Sequence, residues 1–255
     1  MASTILHIVL STPEALAEDA AQRFARAARD AVRSHGEFVV ALSGGATPRG
    51  LYARLAAPPY ASTVPWSGVQ VLWGDERCVA PDQAASNYRM VREALLDHVP
   101  IRAEHVHRMH GEDVPALAAQ AYERTLRTVL RTPSGPPREA PGGRIDLVLL
   151  GLGDDGHTAS LFPGAVDVPG DESWAVARYH GPSSLWRITL TPAVINAAAE
   201  VLFLVAGEGK AAIVRRVLEG PRRPQELPAQ LITPASGRAF WLLDAAAAGD
   251  LEARG

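Results

Sequence analysis

The strongest constraint on what this chain can fold into is its alternation of short apolar runs with stretches of helical period. FVVAL at 38–42, VQVLWG at 69–74, IDLVLL at 145–150, VLFLVA at 201–206 and FWLLD at 240–244 are each only a strand long. Their positions are mostly apolar in succession rather than alternating, the pattern of strands covered on both faces. HIVL at 7–10 and RITLT at 187–191 read as further strands. Helical segments lie between them. Thr12 and Pro13 spell a cap and first turn, Leu16, Ala20, Phe24, Ala27 and Ala31 make one buried stripe, and Gly36 ends it. Further helices are expected from about Pro48, over 87–99, over most of 115–131, and from about Gly209 to Leu218. Strands alternating with helices predict an α/β fold, an open and mostly parallel sheet with helices on both faces. TPSGPPREAPGG at 132–143 has a loop's composition. Because the alternation resumes directly after it, it reads as a surface loop within a single domain over 1–255. No internal repeat is present.

The charge balance narrows the partners. A net charge of -3 with 21% charged residues leaves no basic excess to neutralise a nucleic acid or a membrane surface. A small anionic substrate needs only a few local cations. Cys78 is the one cysteine, so no internal disulfide can form. The first twenty residues have no basic region and turn acidic, unlike a signal peptide. No apolar run is long enough to span a bilayer. A cytoplasmic protein is expected. Of 25 Lys and Arg residues, one is Lys, at 210. With abundant Ala, Gly and Pro, this fits a GC-biased coding sequence that made nearly every cation Arg. A lysine that survives such a bias either marks a place for a compact ammonium rather than a planar guanidinium or survived by chance.

In open parallel sheets, ligands bind beyond the carboxyl ends of the strands. Four loops therefore carry the information. After 38–42, SGGATP offers Ser43, Gly44, Gly45 and Thr47 ahead of a helix, which suits either an anion cradle or an ordinary strand-to-helix turn. No Gly-Lys-Ser/Thr follows, so it is not a Walker loop. After 69–74, Asp75, Glu76 and Arg77 come together. A solvated cluster is the commoner reading of such a run, but Arg77 at a strand end can grip an oxyanion through its fork. Cys78 beside it reads as a small filler rather than a nucleophile. After 201–206, Lys210 opens a helix, so the lone lysine falls at a carboxyl strand end. Arg187 at the start of RITLT is a further candidate cation.

The loop after 145–150 is the central one. GLGDDG at 151–156 formally spells the dinucleotide-binding glycine pattern directly after a strand. Asp154 and Asp155 would repel a pyrophosphate, and no acidic strand end follows at the usual distance. The glycines instead shape a tight turn that presents a carboxylate and His157. A histidine beside a carboxylate in such a loop is a natural general base, although a turn-packing role would leave the same residues. Either Asp154 or Asp155 could partner the ring. His105, His107 and His110 in HVHRMH lack an accompanying carboxylate or cysteine pattern, so no metal site is expected. No G-x-S-x-G occurs, which argues against a serine nucleophile of the α/β-hydrolase kind.

SGGATP at 43–48, WGDERCV at 73–79 with SNYRM at 86–90, GLGDDGHTASLFPG at 151–164, RITLT at 187–191 and GEGKAAIV at 207–214 resemble, in order, the 6-phosphogluconolactonase family. DGHTASLFPG is the most specific of these. Hexosamine-6-phosphate deaminases share the sugar-phosphate loop and Asp-Gly-His, but typically continue with an Ile-Ala-Phe-Asn-Glu-Pro type segment and favour Asp-Glu-Tyr at 75–77. Both differences point to the lactonase. The resemblance implies a fold of the sugar-phosphate isomerase and deaminase type, related to the Rossmann fold. It implies hydrolysis of 6-phospho-D-glucono-1,5-lactone, the second step of the oxidative pentose phosphate pathway, with no cofactor. It also implies His157 and Asp155 as the catalytic pair. Ser43, Gly44, Gly45, Thr47, Asp75, Arg77, Arg187 and Lys210 become the substrate and phosphate contacts. The expected partner is a sugar phosphate, and the chain is expected to be a monomer or small homo-oligomer. An amino-sugar-phosphate deaminase is the second reading. A non-catalytic sugar-phosphate sensor is the third, but it would need an output module that the sequence does not show.

Overall fold

The structure is a computed structural model that describes residues 5–130, 143–165, 173–234 and 236–252. The loop expected at 132–143 lies, but for Gly143, outside the described residues. Strand β1 (Ile5–Leu10) leads into helix α1 (Pro13–His35). Thr12 Oγ1 accepts from the Ala15 N–H at 3.2 Å, and Gly36 closes the helix at φ 88°. There follow β2 (Phe38–Leu42), α2 (Ala46–Leu55), a single turn α3 (Tyr60–Thr63), β3 (Val69–Trp73) and β4 (Asp75–Arg77). Next come α4 (Asn87–Ala94), α5 (Pro115–Val129), β5 (Leu147–Leu150), β6 (Ala175–His180) and β7 (Leu185–Leu190). The chain closes with α6 (Pro192–Asn196), β8 (Glu200–Val205), α7 (Ala211–Leu218) and β9 (Arg238–Asp244). No helix among the described residues is long and apolar enough to cross a membrane.

Six strands form one sheet in the order β1-β9-β8-β5-β2-β3, and every neighbouring pair is parallel. All residues of β2, β3 and β5 are buried. Since alternate side chains point to opposite faces, both faces of these strands are covered. The order sets β8, β5 and β2 side by side, so the loops after 205, 150 and 42 emerge as neighbours at the carboxyl ends of the strands.

The expectation of one sheet needs a correction. RITLT does not join the parallel sheet but forms the centre of a second, antiparallel sheet, β4-β7-β6. Gly74 joins the two sheets. Its N–H donates to the Leu42 carbonyl at 2.8 Å, and its carbonyl accepts from the Leu190 N–H at 2.8 Å. The chain thus leaves the large sheet at Trp73 and enters the small one at Asp75. The helix expected over 87–99 ends at Ala94, and a short 3-10 turn over Leu96–His98 follows.

Candidate active site

The turn after β5 is built by two backbone bonds. The Gly156 N–H donates to the Gly153 carbonyl at 3.0 Å, and the Gly153 N–H donates to the His157 carbonyl at 2.8 Å. Gly153 has to be glycine because the imidazole lies over it. A Cβ there would fall 2.1 Å from His157 Nδ1. Asp155, not Asp154, partners the ring: its Oδ1 lies 2.5 Å from His157 Nδ1 and accepts the His157 N–H at 3.0 Å. A carboxylate only accepts, so in the neutral ring Nδ1 carries the proton and Nε2 keeps the lone pair. Partial burial alone would push the Asp155 carboxyl up. The His157 N–H and ring outweigh that and hold it below the usual carboxylate range.

The residues after His157 anchor the turn. Thr158 Oγ1 donates to the Gly151 carbonyl at 2.8 Å, and the fully buried Ser160 donates to Asp75 Oδ2 at 2.6 Å. The Phe162 ring packs beside His157 with centroids 5.1 Å apart. The turn after β5 of the large sheet is thereby bonded to β4 of the small one.

The loop after β2 is held from beneath. Tyr52 Oη accepts from the Ser43 N–H at 3.0 Å and donates to the Ser43 carbonyl at 2.8 Å. Gly45 stands at φ 111° as the first residue before α2, and no side chain caps that helix. No acidic residue lies in its first turn. The N-terminus of α2 therefore keeps its partial positive charge for a ligand. Ser43 Oγ is buried without a partner. Gly44 meets Asn87, where a Cβ would fall 1.9 Å from the Asn87 Oδ1.

Asp75 and Glu76 are buried, not a solvated cluster. Glu76 accepts from the N–H groups of Arg77, Asn87 and Tyr88, each at 2.7 Å, and from Ser86 Oγ at 3.1 Å. It ties β4 to the start of α4. Burial pushes its carboxyl up, and those N–H groups pull it partly back. Asp75 takes Ser160 on one oxygen and Asn87 Nδ2 on the other at 3.3 Å. The antiparallel register then sets Arg77 directly opposite Arg187. Arg77 donates through Nη1 to the Ala85 carbonyl at 2.7 Å, and Arg187 through Nη2 to Ser183 Oγ at 3.2 Å. The Nε of each is buried without a partner. Burial first, and Arg77 second, lower the Arg187 pKa. Like charges placed directly opposite on neighbouring strands repel, so this pair favours an anion between them.

Lys210 lies in the 3-10 turn Glu208–Lys210 that follows β8, where its Nζ donates to the Leu152 carbonyl at 2.7 Å and to Asp154 Oδ1. All these elements border one cleft of about 380 Å³. Of the residues singled out from the sequence, Ser43, Gly44, Gly45, Thr47, Asp75, Arg77, His157, Arg187 and Lys210 line it, and Asp155 stands behind His157. Asn87 also lines the cleft. It lay within the SNYRM stretch, but nothing in that stretch marked it as facing the site.

The family model described as glucosamine-6-phosphate isomerases/6-phosphogluconolactonase matches residues 11–241. The chain belongs to this family. A 6-phosphogluconolactonase of Nostoc sp. is 42% identical over 224 residues, covering 87% of this chain and 88% of that one. A 6-phosphogluconolactonase of Haemophilus influenzae is 38% identical over 208 residues, covering 82% of this chain and 85% of that one. The solved structure of 6-phosphogluconolactonase from Trypanosoma cruzi superposes with a TM-score of 0.83 at 28% identity, covering 99% of each chain.

Two further expectations can be placed in this glucosamine-6-phosphate isomerase/6-phosphogluconolactonase family member. Cys78 is half-buried, and its thiol is pushed up to about 11 by burial and then by Glu76, so it stays protonated. The HVHRMH histidines lie away from the cleft. His107 Nε2 bonds Gln70 Oε1 at 2.7 Å, and His110 faces Glu112 and Asp113, each at 3.8 Å. Among the described residues, no group of three or more His, Cys, Asp or Glu side chains is placed to hold a metal.

Proposed function

We propose that this chain hydrolyses 6-phospho-D-glucono-1,5-lactone to 6-phospho-D-gluconate, with His157 as the general base. The observation that carries the reading is that one small cleft holds two chemically different walls. One wall presents an imidazole backed by a carboxylate. The other presents two opposed guanidiniums and an uncapped helix start, which call for a dianion. The cleft volume lies in the range of small-molecule sites. The family and the lactonase relatives support the same substrate.

In this reading the phosphate rests on the loop from Ser43 to Thr47, between Arg77 and Arg187 and within reach of Lys210. Asp75 faces a sugar hydroxyl, since its charge would repel the phosphate. His157 Nε2 takes a proton from water, whose oxygen attacks the lactone carbonyl to give a tetrahedral oxyanion. As that intermediate collapses, the bond from C1 to the ring oxygen breaks. The imidazolium returns its proton to the departing oxygen, and the new carboxylic acid ionises. Asp155 fixes the tautomer and stabilises the imidazolium between the two transfers. No redox or group-carrying step occurs, so the chemistry needs no cofactor. The reading carries with it a cytoplasmic enzyme acting as a monomer or small homo-oligomer.

The test generates the lactone in place with glucose-6-phosphate dehydrogenase and follows its disappearance with and without the protein. The protein is expected to accelerate the loss. A rate equal to spontaneous hydrolysis overturns the reading.

A further inference from the structure

The two neighbouring aspartates of the turn have different occupations. Asp155 belongs to His157, while Asp154 pairs with the chain's one lysine. The Lys210 ammonium is held at two points of unequal character. The Leu152 carbonyl is a fixed backbone acceptor and keeps Nζ on the wall of the cleft. Asp154 is at the tip of the turn with its side chain 86% exposed. An ion pair with one member so open to solvent is weak and is screened by salt. A carboxylate and a phosphate also compete for an ammonium in the same way, and the phosphate brings the larger charge. Lysine's flexible stem lets its donors turn from one anion to another.

We propose that Asp154 is an internal competitor for the substrate's phosphate. Its carboxylate occupies Lys210 in the empty cleft and yields it to an entering phosphate. It recaptures the ammonium as the product leaves, and so sets the affinity for phosphorylated ligands. The proposal rests on the reading of this cleft as the phosphate site. The product carries two anionic groups, a phosphate and a new carboxylate, so a resident carboxylate at Lys210 also works against product retention.

The experiment titrates inorganic phosphate by calorimetry into the wild type, Asp154→Asn, Asp154→Ala, Lys210→Gln and the Asp154→Asn/Lys210→Gln double variant, at low and high salt. Both Asp154 variants are expected to bind phosphate about 1.5- to 5-fold more tightly than the wild type, the range set by an exposed ion pair. The gain should shrink at high salt and vanish in the Lys210→Gln background. KM for the lactone should fall in step. The alanine variant keeps the test valid if the asparagine amide itself bonds to Lys210. Unchanged or weaker phosphate binding in both Asp154 variants, with Lys210→Gln still weakening it, overturns the competitor role alone. Phosphate binding unaffected by Lys210→Gln overturns the proposal and also removes Lys210 from the phosphate site.

Discussion

His157 was legible from the sequence as a candidate because the pairing that marks it is local. Its partner lies two residues away and its turn is written in adjacent glycines. The choice between Asp154 and Asp155 came only from the family resemblance, which favours Asp155, because neighbouring residues on a turn tip point in different directions and only the backbone decides which meets the ring. In the proposed mechanism, replacing His157 by Ala removes both proton transfers. It should lower turnover by about 10²- to 10⁴-fold, the usual worth of general acid–base assistance. Phosphate binding, assigned in the proposed function to the opposite wall, should persist, so lactone turnover and phosphate titration of the same variant should separate. Asp155 allows a prediction with a definite sign in pH. Its native pKa lies below the ordinary value of 3.8, so its contribution to stability is fully present above that value and is lost as pH falls through the native one. Asp155→Asn should therefore be less stable than the wild type at neutral pH, and the urea midpoints of the two should converge in acid. Midpoints that differ equally at all pH values would mean that the carboxylate charge is not what stabilises the turn.

At the scale of elements, the parallel strands were readable, whereas of the small sheet only β7 was read as a strand and its pairing was not. Strands such as Leu147–Leu150 are buried on both faces and so appear as unbroken apolar runs. Strand β4 is three residues, Asp-Glu-Arg, and its burial is achieved by hydrogen bonds instead of apolar side chains. Propensity offers no sign of it. The pairing of Arg77 with Arg187, and of Ser160 with Asp75, joins residues distant in sequence and follows only from the strand register. Glu76 is the residue on which this arrangement turns, since one carboxylate satisfies three backbone donors at the junction of β4 and α4. Glu76→Ala leaves those donors unpaired in the interior, which should cost about 1–3 kcal/mol or more of stability. Because Arg77 and Asn87 are fixed by the same bonds, KM for the lactone should also rise several-fold. A variant that loses stability but keeps the wild-type KM would show that α4 holds its place without Glu76.

For the whole molecule, the site is the place where the two sheets are joined. The cleft takes its walls from loops after β2, β5 and β8 of the large sheet and from β4 and β7 of the small one. Gly74 and the Ser160–Asp75 bond cross the same junction. A ligand that engages Arg77 and Arg187 together with the Ser43–Thr47 loop therefore touches both sheets at once and stabilises them as one unit. Inorganic phosphate or 6-phosphogluconate at about a hundred times its dissociation constant should add about 2.7 kcal/mol. For a chain of this length that corresponds to a rise in Tm of about 5–10 °C. Scanning calorimetry should show one transition that moves as a whole. Two transitions, with only one shifted by the ligand, would mean that the small sheet unfolds independently and that the chain is not a single cooperative domain. In the Arg77→Ala/Arg187→Ala variant the shift should largely disappear, because the loop and Lys210 alone leave the dianion without its opposed pair of guanidiniums.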